Sequence, residues 1–357
     1  MLPAYPQLCA RKTNHGCAVR LRRSVVGGPG LRRVRRGRGF GYLDQDGAAV
    51  TDPATLKRIE DLVIPPAWKK VWICPHRNGH IQAVGTDVAG RRQYLYHSQW
   101  QQERGEEKFD RVLELSAGLA DWRNDITGDL RRRGLTRDRV LALGLRLLDL
   151  GYFRAGGDQY AEENNSFGIA TLLCEHITLR PDVVEFDYPA KSGVRRTLVV
   201  EDPAVVRAVR SLRRARGNDD RLLAYRNSAD WTEVHAEDLN VRFKEMVGDD
   251  YTVKDLRTWH GTVLAAEAFV DADPPVNDKV IKRVESAVMR EVAEALGNTP
   301  AVARSAYVDP RVVGAYREGL TIGAAVRRAA RVKNSDKRQA ILDRSTARLI
   351  RKVGSQT

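Results

Sequence analysis

Cysteine is scarce in this chain. The four residues, Cys9, Cys17, Cys74 and Cys174, are scattered and show no C-x-x-C spacing. That argues against a disulfide framework or a cysteine zinc site and suits a reducing cytoplasm. Long apolar runs are also missing, since nothing approaches the ~18 consecutive apolar residues of a membrane span. No apolar core with a small-residue cleavage site stands near the N-terminus, so a secretory leader is not expected. There is no G-x-x-x-x-G-K-[ST] phosphate loop and no H-E-x-x-H. No acidic cluster has the spacing of a magnesium site. His76 and His80 flank an Asn78-Gly79 turn without a third ligand, so neither a metal nor a cofactor is expected. Acidic residues are absent from residues 1–40, which hold ten Lys/Arg. Of the net charge of +14, only +4 is left for the other 317 residues. A nearly balanced body thus carries a basic arm, and the arginines of residues 32–38 form a patch that can contact phosphates. A solvated tail is the plainer reading of the same charges.

What is present is an ordinary globular composition, 42% apolar and 30% charged over 357 residues, enough for two or three domains. Residues 1–30 show no period and read as a basic extension with a loop at Gly27-Gly28-Pro29-Gly30. Residues 31–98 read as a small β-rich domain. Its strands include 71–74, 80–84 and 92–96, with a hairpin at Asn78-Gly79. The Gly37-Arg38-Gly39-Phe40-Gly41 segment is read as following no strand and opening no helix, so it is not taken as a nucleotide loop.

Residues 99–357 read as mainly helical. Thr136 caps a helix carrying Leu141, Leu145, Leu148 and Tyr152, and Asp202-Pro203 starts another. Further helices span 254–269 and 278–296, the second ended by Gly297. One hairpin interrupts them, with strands 183–188 and 194–200. Residues 324–351 are helical and basic. The fold class expected is α+β.

Several segments carry chemistry-bearing residues in a distinctive order. They are Arg35-Arg36-Gly37-Arg38-Gly39-Phe40, Ile64-Pro65-Pro66-Ala67-Trp68, Gly90-Arg91-Arg92-Gln93-Tyr94-Leu95-Tyr96-His97, Leu150-Gly151-Tyr152-Phe153-Arg154-Ala155-Gly156, Tyr188-Pro189-Ala190-Lys191, Lys254-Asp255-Leu256-Arg257-Thr258-Trp259, Leu296-Gly297-Asn298-Thr299-Pro300 and Ala303-Arg304-Ser305-Ala306-Tyr307. Any one of these is weak, but together and in this order the chain resembles type IB DNA topoisomerases of the short bacterial and poxvirus-like form. The resemblance runs from about residue 30 to about residue 320.

The resemblance implies a β-rich N-terminal domain and a larger, mainly α-helical catalytic domain of the topoisomerase/tyrosine recombinase type with an inserted β-hairpin. The two would close on duplex DNA, bound with little sequence preference by a monomer at the bacterial nucleoid. It implies Tyr307 as nucleophile, Arg154 and Arg257 as the catalytic arginines, and Lys191 as general acid. Lys254 would be auxiliary, and Asn298 stands where many members carry histidine. DNA contacts are expected from Arg32, Arg33, Arg35, Arg36, Arg38, Arg91, Arg92 and Tyr94. These residue types suit the chemistry. A phenol can store a phosphodiester bond as phosphotyrosine, guanidiniums can stabilise the charge of a phosphorane, and an ammonium can protonate a departing alkoxide.

Taken singly, each residue has a plainer reading. Tyr307 could be a core tyrosine, Asn298 a helix cap, Lys191 an exposed turn residue, and Arg154 and Arg257 surface arginines. His260, three residues after Arg257, suits a core or supporting role. A tyrosine recombinase is the nearest alternative, but it usually carries histidine where Lys254 stands. A non-catalytic nucleic-acid-binding protein is the other.

Overall fold

The computed structural model describes residues 20–355 except Gly151, Tyr152 and Ala229. Cys9, Cys17, the first basic residues and the helix position assigned to Tyr152 therefore lie outside the described residues. The chain divides into two compact units, residues 1–108 and 109–357.

The first unit contains β1 (Leu31–Arg36), β2 (Gly39–Leu43), α1 (Pro53–Asp61), β3 (Lys69–Ile73), β4 (Ile81–Thr86) and β5 (Arg92–Tyr96). The strands form one antiparallel sheet in the order β2-β1-β3-β4-β5. Its small core joins Ile59 of α1 to Val71, Ile73 and Ala83, with Leu31, Tyr42, Trp68 and Leu95 packed around them. The structure corrects the sequence reading at two points. Gly37 does follow a strand: it turns β1 into β2 with φ +57°. The arginine run hides that strand, whose apolar members are only Leu31 and Val34. Helix α1 is additional to the sequence reading although Asp52-Pro53 is a start signal, and the Asp52 carboxylate caps it by accepting from Thr55 N. Residues 20–30 hold defined contacts. Arg22 bridges to Gly79, the Ser24 N–H donates to His80 Nδ1 at 2.9 Å, and the Trp72 indole donates to Gly28 O at 3.0 Å.

The unit boundary falls inside α2 (Ser98–Leu115). The second unit continues with α3 (Leu119–Leu130), α4 (Arg137–Asp149) and α5 (Asp158–Asn164). A three-stranded sheet follows, made of β6 (Ile177–Leu179), β7 (Val184–Pro189) and β8 (Arg195–Val200). Then come α6 (Pro203–Arg213), the pair β9 (Ala224–Asn227) and β10 (Asp230–Glu233), α7 (Ala236–Val247), α8 (Val253–Ala268) and α9 (Asp278–Leu296). The chain ends with the short α10 (Pro300–Val302), α11 (Pro310–Arg317), α12 (Gly323–Ala329) and α13 (Ser335–Gly354). Strands β6, β9 and β10 are additional to the sequence reading, being too short to show a period. The basic run read as continuous over 324–351 is two helices. Helix α12 ends at Ala329, and Asn334 restarts the chain by accepting from Lys337 N at 2.9 Å.

One core runs through this unit. Residues 139–149 of α4 are all buried, as are most residues of α8. Neighbours cover both helices on most sides, and the polar side chains buried with them, such as Arg146 and Asp149 of α4 and Arg257 and His260 of α8, need partners. A buried ion network locks α4 in place. Arg123 bridges Asp149 at 2.9 Å and Asp343 at 2.6 Å, and Arg146 reaches Asp149, Asp202 and Asp336. Burial pushes the Asp149 carboxyl up, but Arg123 and His260 outweigh it and hold it well below the usual carboxylate range. His260 Nε2 lies 3.3 Å from Asp149, so this histidine joins the buried network. Among the described residues, no helix is long and apolar enough to cross a membrane, and no cluster of side chains could hold a metal.

Candidate active site

The site is organised around the C-terminus of α9. A helix leaves its last carbonyls without intrahelical donors. Here Gly297 takes φ +59°, and Gly297 N and Asn298 N turn back to the carbonyls of Glu294 and Ala293. That closes the helix and leaves three successive carbonyls, 295 to 297, facing arginines. Arg196 Nη2 donates to Ala295 O at 2.9 Å, Arg257 Nη2 to Leu296 O, and Arg154 Nη2 to Gly297 O at 3.2 Å. The negative end of the helix dipole thus holds three guanidiniums in register.

Each arginine arrives by a different element. Arg154 lies on the stretch between α4 and α5, and that stretch is laid against residues 168–170. Ile169 N donates to Arg154 O and Ala170 N to Ala155 O, both at 2.8 Å. The glycine of Arg-Ala-Gly follows from this crossing, because a Cβ on Gly156 would come within 2.8 Å of Gly168 Cα. Arg257 projects from α8 and is only 6% exposed. Its Nη1 also donates to Phe153 O at 3.4 Å. Burial and the neighbouring Arg154 pull the Arg257 guanidinium down to about 10, so it stays charged at neutral pH. Arg196 lies on β8 opposite Tyr188.

Tyr307 closes a π-helical turn, Ala303–Tyr307, with Val308 N donating to Ala303 O at 3.1 Å. Such single turns interrupt regular helices and re-aim side chains. The turn is braced from two sides. Glu285 of α9 accepts from Arg304 at 3.2 Å, and α8 approaches at Gly261, where a Cβ would stand 2.7 Å from Tyr307 O. The Thr262 hydroxyl lies 3.2 Å from Tyr307 O and accepts the Asp309 N–H at 3.1 Å. Tyr307 is 7% exposed, and the Arg257 guanidinium sits 5.4 Å from its ring centroid.

These elements enclose a cavity of about 920 Å³ lined by Arg154, Lys191, Arg196, Lys254, Asn298 and Tyr307. Arg257 lies behind it, against the tyrosine ring. Lys191 is exposed in the turn Lys191–Gly193 between β7 and β8. Lys254 is exposed in the first turn of α8, whose start is capped by Asp255 accepting from Thr252 N at 2.9 Å. Asn298 Oδ1 accepts from Arg154 Nη2 at 2.5 Å. The six residues singled out in the helical half thus meet at one place. Among the described residues, no carboxylate lies within 4 Å of Arg154, Arg196 or Arg257, whereas buried Arg123 and Arg146 are each paired with acids. A pocket with arginines that face no carboxylate and a phenol can bind a phosphodiester and present a nucleophile to it.

In the first unit, Arg32, Arg35, Arg36 and Arg38 are exposed. Arg33 is different. Its guanidinium donates to the carbonyls of Ile64, Pro65 and Trp68 and lies 4.1 Å from the Phe40 ring centroid. Arg91 pairs with Asp87 at 3.1 Å, and the Arg92 guanidinium lies 5.7 Å from the Tyr94 ring centroid. Tyr94 stacks on Tyr96 with ring centroids 6.0 Å apart, and both are exposed. Tyr96 is absent from the residues expected from sequence, although the period of two along β5 puts it on Tyr94's face. So is Arg196, whose signal is a charged residue at an inward strand position beside Leu198 and Val200.

Comparison with known proteins agrees with this architecture. The catalytic core of eukaryotic DNA topoisomerase I matches residues 97–329, and the N-terminal domain of bacterial DNA topoisomerase IB matches residues 39–87. The chain is 30% identical over 287 residues to DNA topoisomerase 1B of Acanthamoeba polyphaga mimivirus, covering 78% of this chain and 85% of the relative. It is 24% identical to DNA topoisomerase 1B of vaccinia virus (strain Copenhagen), over 63% of this chain and 69% of the relative. The chain belongs to the type IB DNA topoisomerases, in their short form.

Proposed function

We propose that this enzyme relaxes positive and negative supercoils without ATP or a metal ion, through a transient 3′-phosphotyrosyl link. The Tyr307 oxygen attacks a phosphodiester of one strand and forms the P–O bond, releasing its proton to solvent. The bond to the 5′-oxygen breaks, and Lys191 supplies the proton that leaves a 5′-hydroxyl. Arg154 and Arg257 stabilise the phosphorane charge, Asn298 donates one hydrogen bond, and Lys254 assists near the leaving oxygen. The freed strand swivels about the intact one, and reversal of the attack reseals it. No external energy is needed, because the phosphotyrosine keeps the bond energy. The protein would act as a monomer in the cytoplasm, on duplex DNA with little sequence preference. Residues 31–98 would form its DNA-binding domain and residues 99–357 its catalytic domain.

The observation that carries this reading is the convergence of Tyr307, Arg154, Lys191, Lys254 and Asn298 on one cavity, with Arg257 behind the tyrosine. The test is relaxation of plasmids of either supercoil sign in EDTA without ATP, with wild type beside Tyr307→Phe. Relaxation of both signs by wild type alone is expected. A covalent DNA adduct on the phenylalanine variant would refute the nucleophile.

A further inference from the structure

We propose that Arg196 is a third anion-binding guanidinium of this pocket, taking a phosphate oxygen of the cleaved strand. The proposal rests on the strand-cleavage reading above.

Arg195 and Arg196 are adjacent on β8 and do opposite things. Arg195 borders the same cavity but is largely exposed, and it forms a two-pronged pair with Asp187 at 2.6 and 2.7 Å. Its charge is cancelled where it stands. Arg196 points inward, lines the same cavity as Arg154 and Lys191, and has a carbonyl, not a carboxylate, as its partner. The Ala295 carbonyl uses one N–H of the five in the fork. Arg196 Nε is buried, and no described residue accepts from it. Its Nη1 packs against Gly297 so closely that a Cβ there would overlap it. Gly297 is also the residue whose carbonyl holds Arg154.

A guanidinium serving only as a helix cap needs no place in a cavity beside two other cations. Three like charges set side by side repel, and the field of Arg196 adds to that of Arg154 in pulling Arg257 down. Burial raises the hydroxyl of Tyr188, while Arg196, Arg257 and Arg154 all act on it in the opposite sense. The three charges therefore share one small region. An anion bound there relieves the repulsion, and a phosphodiester offers a planar fork two non-bridging oxygens that share one negative charge.

The experiment compares wild type, Arg196→Gln and Arg196→Lys in single-turnover cleavage of a duplex oligonucleotide, with DNA binding and thermal melting measured in parallel. The substrates carry a normal backbone, a neutral methylphosphonate at the cleaved position, or one at a flanking position of the same strand. Loss of a charge-stabilising donor commonly costs about 10²–10³-fold in rate, and a fall of roughly 10- to 100-fold is expected for Arg196→Gln, with partial rescue by lysine. The deficit should shrink on the substrate neutralised where Arg196 acts. Relief at the cleaved position assigns that phosphate, and relief at the flanking position assigns its neighbour. An equal deficit on all three substrates, or none on any, overturns the proposal and leaves Arg196 as a helix cap. If the glutamine variant does not fold, the lysine variant carries the same comparison, because it keeps a donor for Ala295 O. Absence of cleavage by wild type would sink the strand-cleavage reading itself, an outcome separate from any of these.

Discussion

The Asn298 side-chain oxygen faces Arg154, and its amide nitrogen has no acceptor among the described residues. A guanidinium has donors only, so it can receive only the oxygen end of the amide. Arg154 thereby sets the direction of the Asn298 N–H₂ group. With the backbone N–H of Asn298 closing α9, one residue serves both as helix cap and as a side chain of the cavity.

Asn298→Ala removes that donor and frees Arg154 from one anchor. Single-turnover cleavage should fall by about 10- to 100-fold, with DNA binding little changed. Asn298→Asp should fall further, since a carboxylate would pair with Arg154 and repel a phosphate. A cleavage rate for the aspartate variant equal to that of the alanine variant would argue against this geometry.

Gly261 is where α8 meets the backbone of Tyr307. A methyl at this position would stand 2.7 Å from the Tyr307 carbonyl and 2.9 Å from its Cβ, so the Tyr307 turn must shift. Gly261→Ala should lower stability by about 1–3 kcal/mol, the usual cost of overpacking. It should also slow covalent adduct formation at least about tenfold, because catalysis is sensitive to small misplacements. Urea denaturation and adduct formation on the same sample check both.

Glu267 of α8 gives a pH dependence with a definite sign. Burial, with Asp343 and Glu291 nearby, pushes its carboxyl from 4.5 up to about 7. In that window the folded protein binds the proton more tightly than the unfolded chain does. Stability therefore falls as pH rises from 4.5 towards 7 and stays lower above it. Glu267→Gln removes this loss. Its melting temperature should gain on wild type between about pH 5 and about pH 8. A constant difference across that range would show that Glu267 does not titrate this way.

Arg33 and its neighbours should separate cleanly. Arg32 and Arg36 are exposed, and replacing both with glutamine should lower the salt slope of DNA binding by up to about 0.9 for each phosphate they neutralise. Arg33 holds three carbonyls of its own domain, so Arg33→Gln should destabilise the fold by about 1–3 kcal/mol. Titrations at several salt concentrations, with melting curves, distinguish the two effects.

Much of this is legible in the chain. Thr136, Asp202-Pro203 and Gly297 stand at helix boundaries because cap chemistry is local. The order of the motifs picks out Arg154, Lys191, Lys254, Asn298 and Tyr307 among the residues that line the cavity, and passes over Arg196. Strand β1 and helix α1 escape a sequence reading for different reasons. Arginines mask the alternation in β1, and α1 is only nine residues long, so its start signal is followed by too few apolar residues to stand out among the strands and turns around it.

Sequence by itself determined the residue types, their order and the local starts and stops, because propensity and capping act within a few positions. Only the tertiary structure decided that Arg154, Arg196 and Arg257, drawn from a loop, a strand and a helix, would take three consecutive carbonyls of one helix end. It also decided that Arg195 would pair with a carboxylate and Arg196 would not, and that Gly261 would back Tyr307. Those outcomes depend on which elements pack together across long sequence separations, and no local pattern encodes the meeting point.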